Sequence, residues 1–148
     1  MAEFEYDPNA INNLIDNLTK ADLFNEENEN RLISTGANEV AGSIRNAMGQ
    51  SQFDIAKFKN KVKVSGKVKK DKNGYAYATI SPQGNYTGNG KPRRLAAILF
   101  VLNYGRKKEY GEITGDYFWT NGVKRGQKRA EEAMREEVNK IYHERGLT

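Results

Sequence analysis

The sequence predicts an α+β fold: a small antiparallel sheet built on a lysine-rich hairpin, packed with N-terminal helices and a long C-terminal amphipathic helix. Three observations predict it. Apolar residues recur at helical spacing in two stretches at the front of the chain. Val62, Val64 and Val68 alternate with lysines in its middle, and a last helical stripe runs from Ala130 to Tyr142. Spacing near 3.6 residues marks a helix with one buried face, and spacing of 2 marks a half-buried strand. At 148 residues the chain suits one domain over residues 1–148, because domains commonly run about 100–150 residues.

The elements follow in order. Asp7-Pro8 supplies an N-cap and a proline at the first helical position, where its missing N–H costs nothing. Ile11, Leu14, Ile15 and Leu18 then give a short helix ending near Lys20 one apolar stripe. A second helix, from about Glu26 to Met48, gathers Leu32, Ile33, Ala37, Val40, Ala41, Ile44 and Met48 on one side. Gly36 and Gly42 weaken its propensity and are the expected points of close helix approach.

From Lys59 to Lys70 the period becomes 2, with valines on one face and Lys61, Lys63, Lys67 and Lys69 on the other. Asp71-Lys72-Asn73-Gly74 is a turn, and Tyr75 to Ile80 is the returning strand. Ser81 to Pro92 has glycine and proline but no apolar period, which predicts a long mobile loop, about residues 81–93. Arg93 to Tyr104 is apolar through its middle. Its length and Leu/Ala content favour a buried helix over a strand, and Gly105 stops it. A loop with the aromatic cluster Tyr117-Phe118-Trp119 leads to an amphipathic helix over Val123 to Arg145, with Gly146 as its left-handed cap.

Composition narrows the chemistry. Hydrophobic residues make up 37% and charged residues 29%, which predicts a modest core and a large wetted surface. With no cysteine, disulfides, thiolate ligands and cysteine nucleophiles are excluded. Met1 to Asp7 is acidic and lacks the apolar stretch of a signal peptide. The longest apolar run, Leu95 to Leu102, is far short of the roughly 20 residues of a membrane helix, so a soluble protein is expected. Charge is polarised along the chain. Residues 1–56 carry 10 acidic against 3 basic side chains, and residues 57–148 carry 9 against 21. A basic half can meet nucleic acid phosphates, or the acidic part of one subunit can face the basic part of the next.

Catalytic and metal chemistry finds little to work with. His143 is the sole histidine, on the end of the last helix, where a favourable contact with the helix dipole is its simplest role. The glutamates at 26, 27 and 29 and at 131, 132, 136 and 137 fit solvated helix faces and i,i+4 pairs. Lys91 follows Gly88 and Gly90 but precedes Pro92, so the phosphate-loop spacing is absent. No catalytic residue, cofactor or metal is expected, and the protein is not read as an enzyme. The eight lysines between Lys57 and Lys72, near Tyr75, Tyr77 and Tyr86, leave a basic nucleic-acid-binding module as the alternative.

The order of these features resembles that of the minor tail component family of long-tailed bacteriophages and prophages, also called tail-completion or head–tail joining proteins. The resemblance extends from Pro8 to Gly146. Its most specific part is Ala97-Ile98-Leu99-Phe100-Val101-Leu102-Asn103-Tyr104-Gly105-Arg106, similar to a family segment ending in Glu, an aromatic, Gly and Thr. Here Asn103 stands in place of the Glu and Arg106 in place of the Thr. Gly115-Asp116-Tyr117-Phe118-Trp119 occupies the position of a Pro-Phe element before the family's last helix; Phe118 matches and the proline is missing.

The resemblance implies a virion structural protein, made in the bacterial host cytoplasm and sited in the tail or neck. It implies a ring of subunits, for which the family suggests six, contacting tail-tube and neck or connector proteins. DNA is then only a passenger through the lumen, and no membrane is involved. The candidate interface residues are Lys61, Lys63, Lys67, Lys69, Tyr86, Arg93, Arg94, Tyr104, Gly105, Phe118 and Trp119. Phe118 and Trp119 are the expected aromatic anchors, with capping of the subunit's own core as the competing role.

Overall fold

A computed structural model describes residues 2–5, 16–88 and 90–146. Mixed helix and antiparallel sheet, ending in a long C-terminal helix, is the architecture. Strand β1 is Ala2–Glu5, β2 is Val62–Val64, β3 is Lys69–Lys70 and β4 is Ala76–Pro82. Helix α1 is Glu26–Gln50, α2 is Leu95–Tyr104 and α3 is Phe118–Glu144. Strands β5 (Asn85–Gly88) and β6 (Lys91–Arg94) form a separate two-stranded arm. The expected N-terminal helix lies mostly outside the described residues. Residues 16–20 are helical, and Leu18 is fully buried.

Helix α1 forms because its apolar residues keep one another's company every three to four positions. Its start is fixed by Asn25, whose side chain accepts from the Asn28 N–H at 2.9 Å. Every residue of the predicted stripe from Leu32 to Met48 is buried. The stripe is wide because α1 is the middle layer, with the sheet on one side and α3 on the other. Helices α1 and α3 run antiparallel: Arg31 near the start of α1 pairs with Glu137 and Glu144 near the end of α3, at 2.7 and 2.8 Å. Close approach along this seam is made by Gly122 and Gly126 of α3. A Cβ on Gly126 would come within 2.6 Å of the Val40 Cα, and one on Gly122 within 2.8 Å of the Ile44 Cα. Gly42, expected to serve this role, has open space at its Cβ position.

The sheet has β4 at its centre, with β1 on one edge and β2 and β3 sharing the other. Strand β1 pairs from Ala2↔Ile80 to Glu5↔Tyr77; the sequence reading had no strand there. The lysine hairpin exists but is broken. Lys59 and Lys61 belong to a 3-10 turn over Ala56–Lys61 rather than to the strand. Val64 pairs with Ile80 and Lys69 with Tyr77, so five steps on one strand oppose three on the other, which is a bulge. Ser65 closes it: its N–H donates to the Thr79 carbonyl at 2.8 Å and its Oγ accepts from the Thr79 N–H at 3.0 Å. The tight turn after β3 is as expected, with Asp71 Oδ1 accepting from the Asn73 and Tyr75 N–H groups, both at 2.9 Å, and Gly74 at φ 83°.

Residues 81–93 are not the mobile loop the composition predicts. Ser81 and Pro82 complete β4, and Asn85 to Arg94 form the β5–β6 arm, paired from Asn85↔Arg94 to Gly88↔Lys91. The pairing leaves a two-residue connection, Asn89-Gly90 in the sequence, which is the strongest short-range hairpin signal. Gly84 at φ 83° turns the chain from β4 into the arm, and Gly90 sits at φ 79°. Pro92 is tolerated because the arm has only two strands and both are edges.

Candidate assembly surface

Helix α2 carries the feature that most demands a function. Its ten residues are almost all apolar, yet only Leu95, Leu99 and Asn103 are buried. The expectation of a buried helix is therefore corrected: Ala97, Phe100 and Tyr104, at i, i+3 and i+7, face outward. Phe100 is 61% exposed and Tyr104 54%. Tyr117, 48% exposed, extends the row. The Phe100 and Tyr104 rings lie 4.8 Å apart, and Tyr104 meets Tyr117 edge-on at 5.9 Å, spacings at which aromatic pairs attract. Beside them Pro82, Leu99 and Trp119 line a groove of about 160 Å³.

The corner behind this surface is built from short-range constraints. Gly105 ends α2 at φ 89°, where a Cβ would strike the Ile113 carbonyl at 2.7 Å and the Gly115 N at 2.9 Å. Gly115 is packed against the Asn103 carbonyl and the Tyr104 backbone more tightly still. Arg106 and Ile113 form a bridge through paired backbone bonds of 2.8 and 3.1 Å. The loop is tied to the end of α1 by Asp116, whose Oδ2 accepts from Ser51 Oγ at 2.6 Å, and by Gln52, whose Nε2 donates to the Thr114 carbonyl at 3.0 Å.

Asn103, only 2% exposed, caps α3 from another helix. Its Oδ1 accepts from the Trp119 N–H at 2.9 Å and the Thr120 N–H at 3.3 Å, and its Nδ2 donates to Thr120 Oγ1 at 3.0 Å. Asp116 Oδ1 accepts from the Phe118 N–H at 3.2 Å. These bonds satisfy donors that a helix start leaves unpaired. They let α3 begin at Phe118, five residues before the Val123 that sequence periodicity indicates. Tyr117, the residue before it, is left-handed at φ 56° and supplies no side-chain cap. Asp116 is the local part of this cap, while Asn103 supplies its distant part from sixteen residues upstream.

The sequence-predicted interface residues divide into groups. Tyr104, Gly105 and Trp119 meet at the α2–α3 corner. Phe118 does not join them: at 3% exposure it belongs to the subunit's own core, and its expected role as an anchor is corrected. Trp119 is half-buried and faces the groove. Tyr86 and Arg93 are register partners on the arm, with Arg94 opposite Asn85, and all three are exposed. Tyr86 packs edge-on against Phe58 at 5.3 Å beneath the Lys57 ammonium, which fastens the arm to the body. Lys61, Lys63, Lys67 and Lys69 are exposed but do not make one patch. Lys63 pairs with Ser81 and Lys69 with Tyr77, four residues apart on β4 and so about 13 Å along the strand. The bulge lies between them.

Phe100 and Tyr117 were missed as surface residues. The available signal was that α2 has no polar face, which in a helix means either burial all round or a partner. Among the described residues no group of three or more His, Cys, Asp and Glu side chains could hold a metal ion, and no helix is long and apolar enough to cross a membrane. Compared with known proteins, the chain matches no protein-family model, no curated protein and no solved structure.

Proposed function

We propose that this protein is a phage virion structural protein that completes or joins the tail at the head–tail interface, acting by ring-like self-assembly and by contacts to tail-tube and neck proteins. The observation that supports this reading is the outward face of α2, with Phe100, Tyr104 and Tyr117 exposed together beside a groove. Large exposed apolar patches mark interaction sites, and aromatic side chains dominate the energetics of many interfaces. The occupant is a second copy of the chain. Contact between this face and a different face of the next subunit is head-to-tail, which closes into a ring when the rotation allows. The acidic first third and basic remainder steer such an encounter.

Negative-stain imaging of the purified protein, alone at high concentration and mixed with tail tubes, tests the reading. Rings or added density at a tube end are expected. The double substitution Phe100→Asp and Tyr104→Asp should leave the circular dichroism spectrum unchanged and weaken self-association by at least about tenfold. The second reading is a basic nucleic-acid-binding module, favoured by the exposed Lys91, Arg93 and Arg94 of the arm. Monomers that ignore tubes but shift a DNA duplex, with affinity falling steeply as salt rises, would replace the first reading with the second.

A further inference from the structure

A second surface, outside the aromatic face, has the chemistry of a ligand site. Ser43, Asn46 and Gln50 of α1, Lys59 of the 3-10 turn, and Arg125 and Arg129 of α3 surround a cleft of about 330 Å³. Three cations line it and no carboxylate does. The ion pairs among the described residues engage Arg31, Lys57, Lys70 and Lys140, and none of these three. Arg125 reaches only a neutral partner, Gln50 Oε1, at 3.4 Å.

The fold brings these like charges together. Arg125 and Arg129 stand at i,i+4 on one face of α3, and Gly126 between them draws α3 down onto Val40 and Ser43 of α1. Gly49 clears the opposite wall: the Lys59 Nζ lies 2.8 Å from where its Cβ would be. At the inner wall Ser43 is 4% exposed and its Oγ is closed off, so the cations and rim amides carry the site. Clustered like charges repel one another unless a counter-charge is present.

We propose that this cleft binds a phosphate-class oxyanion. The two guanidinium forks supply planar paired donors and Lys59 a point charge. Asn46 and Gln50 offer amide donors at the rim. The anion is either free phosphate or the phosphodiester of a nucleic acid strand. The proposal does not rest on the assembly reading, because the cleft lies within one subunit.

Amide NMR titration of the monomer with inorganic phosphate, against chloride at equal ionic strength, is the test. Saturable shifts are expected at Ser43, Gly49, Lys59, Arg125 and Arg129, with no saturation in chloride. Arg125→Gln with Arg129→Gln should weaken binding by about tenfold or more. Lys107→Gln with Lys108→Gln removes the same charge from an exposed site elsewhere and should leave phosphate affinity within about twofold. A short DNA duplex that moves the same cleft resonances at lower concentration would identify the phosphodiester as the source; response to phosphate alone would identify the free anion. Non-saturating shifts, equal shifts in chloride, or equal losses in the two double variants would overturn the proposal.

Discussion

Asn103 shows how much one buried amide can organise. From near the end of the exposed helix α2 it starts α3, using both ends of its side chain. Asn103→Ala should destabilise the protein by about 1–2 kcal/mol, the usual range for loss of a cap, measured by urea denaturation. Asn103→Asp keeps the acceptors and adds a charge that the helix N-terminus favours, so its loss should be smaller; equal losses would sink the capping account. Arg31 behaves similarly at the other end of the α1–α3 pair. Its hydrogen bonds to Glu144 and Glu137 push its own pKa upward, and its hydrogen bond to Glu144 holds that carboxyl below the usual range. A depressed carboxylate stabilises the fold above its unfolded value, about 4.3, and that contribution is lost as pH falls through the lower folded value. Melting temperatures of the wild type and Glu144→Gln should therefore differ most near neutrality and converge in acid. A difference that persists at the lowest pH would rule out the ion pair as its cause.

At the scale of elements, the seam between α1 and α3 turns on which glycines face it. Gly126→Ala gains about 1 kcal/mol of helix propensity but drives a Cβ into the backbone of Val40. Backbone yields poorly, and overpacking costs about 1–3 kcal/mol. A net loss is expected. Gly42→Ala meets open space and should stabilise by about 0.5–1 kcal/mol. Thermal denaturation of the pair checks both signs; a stabilising Gly126→Ala would mean that the helices separate easily. The arm offers a lesson of another kind. The Asn89-Gly90 signal for a hairpin was present in the sequence, but Pro92 and the absence of an apolar face masked it. A two-stranded ribbon needs no apolar alternation when neither face is covered, and all four residues of β6 are exposed.

For the whole molecule, the proposed self-assembly divides its labour between charge and exposed aromatics. Charge on a rim chiefly sets encounter rate and salt dependence, whereas buried aromatic contacts set lifetime. Reversing Lys61, Lys63 and Lys67 to Glu, all exposed, should leave folding intact and slow assembly most at low salt. Particle assembly that proceeds unaltered would remove these three lysines from the interface.

The amino-acid sequence by itself determined the three main helices, the central hairpin and their order. Helix α1 and its buried stripe, the turn at Asp71 to Gly74, the halt at Gly105 and the left-handed Gly146, at φ 70°, were all legible, because each depends on residues within a few positions of one another. Only the tertiary structure decided the rest. It buried Phe118 and exposed Phe100, although both are phenylalanines in aromatic surroundings, because burial depends on which other element covers a position. It moved the start of α3 to Phe118 through a cap on α2. It also added β1 to the sheet and gathered Lys59, Arg125 and Arg129 around one cleft. Periodicity reports the face a segment can offer, while the partner of that face is chosen by packing between residues far apart in the chain.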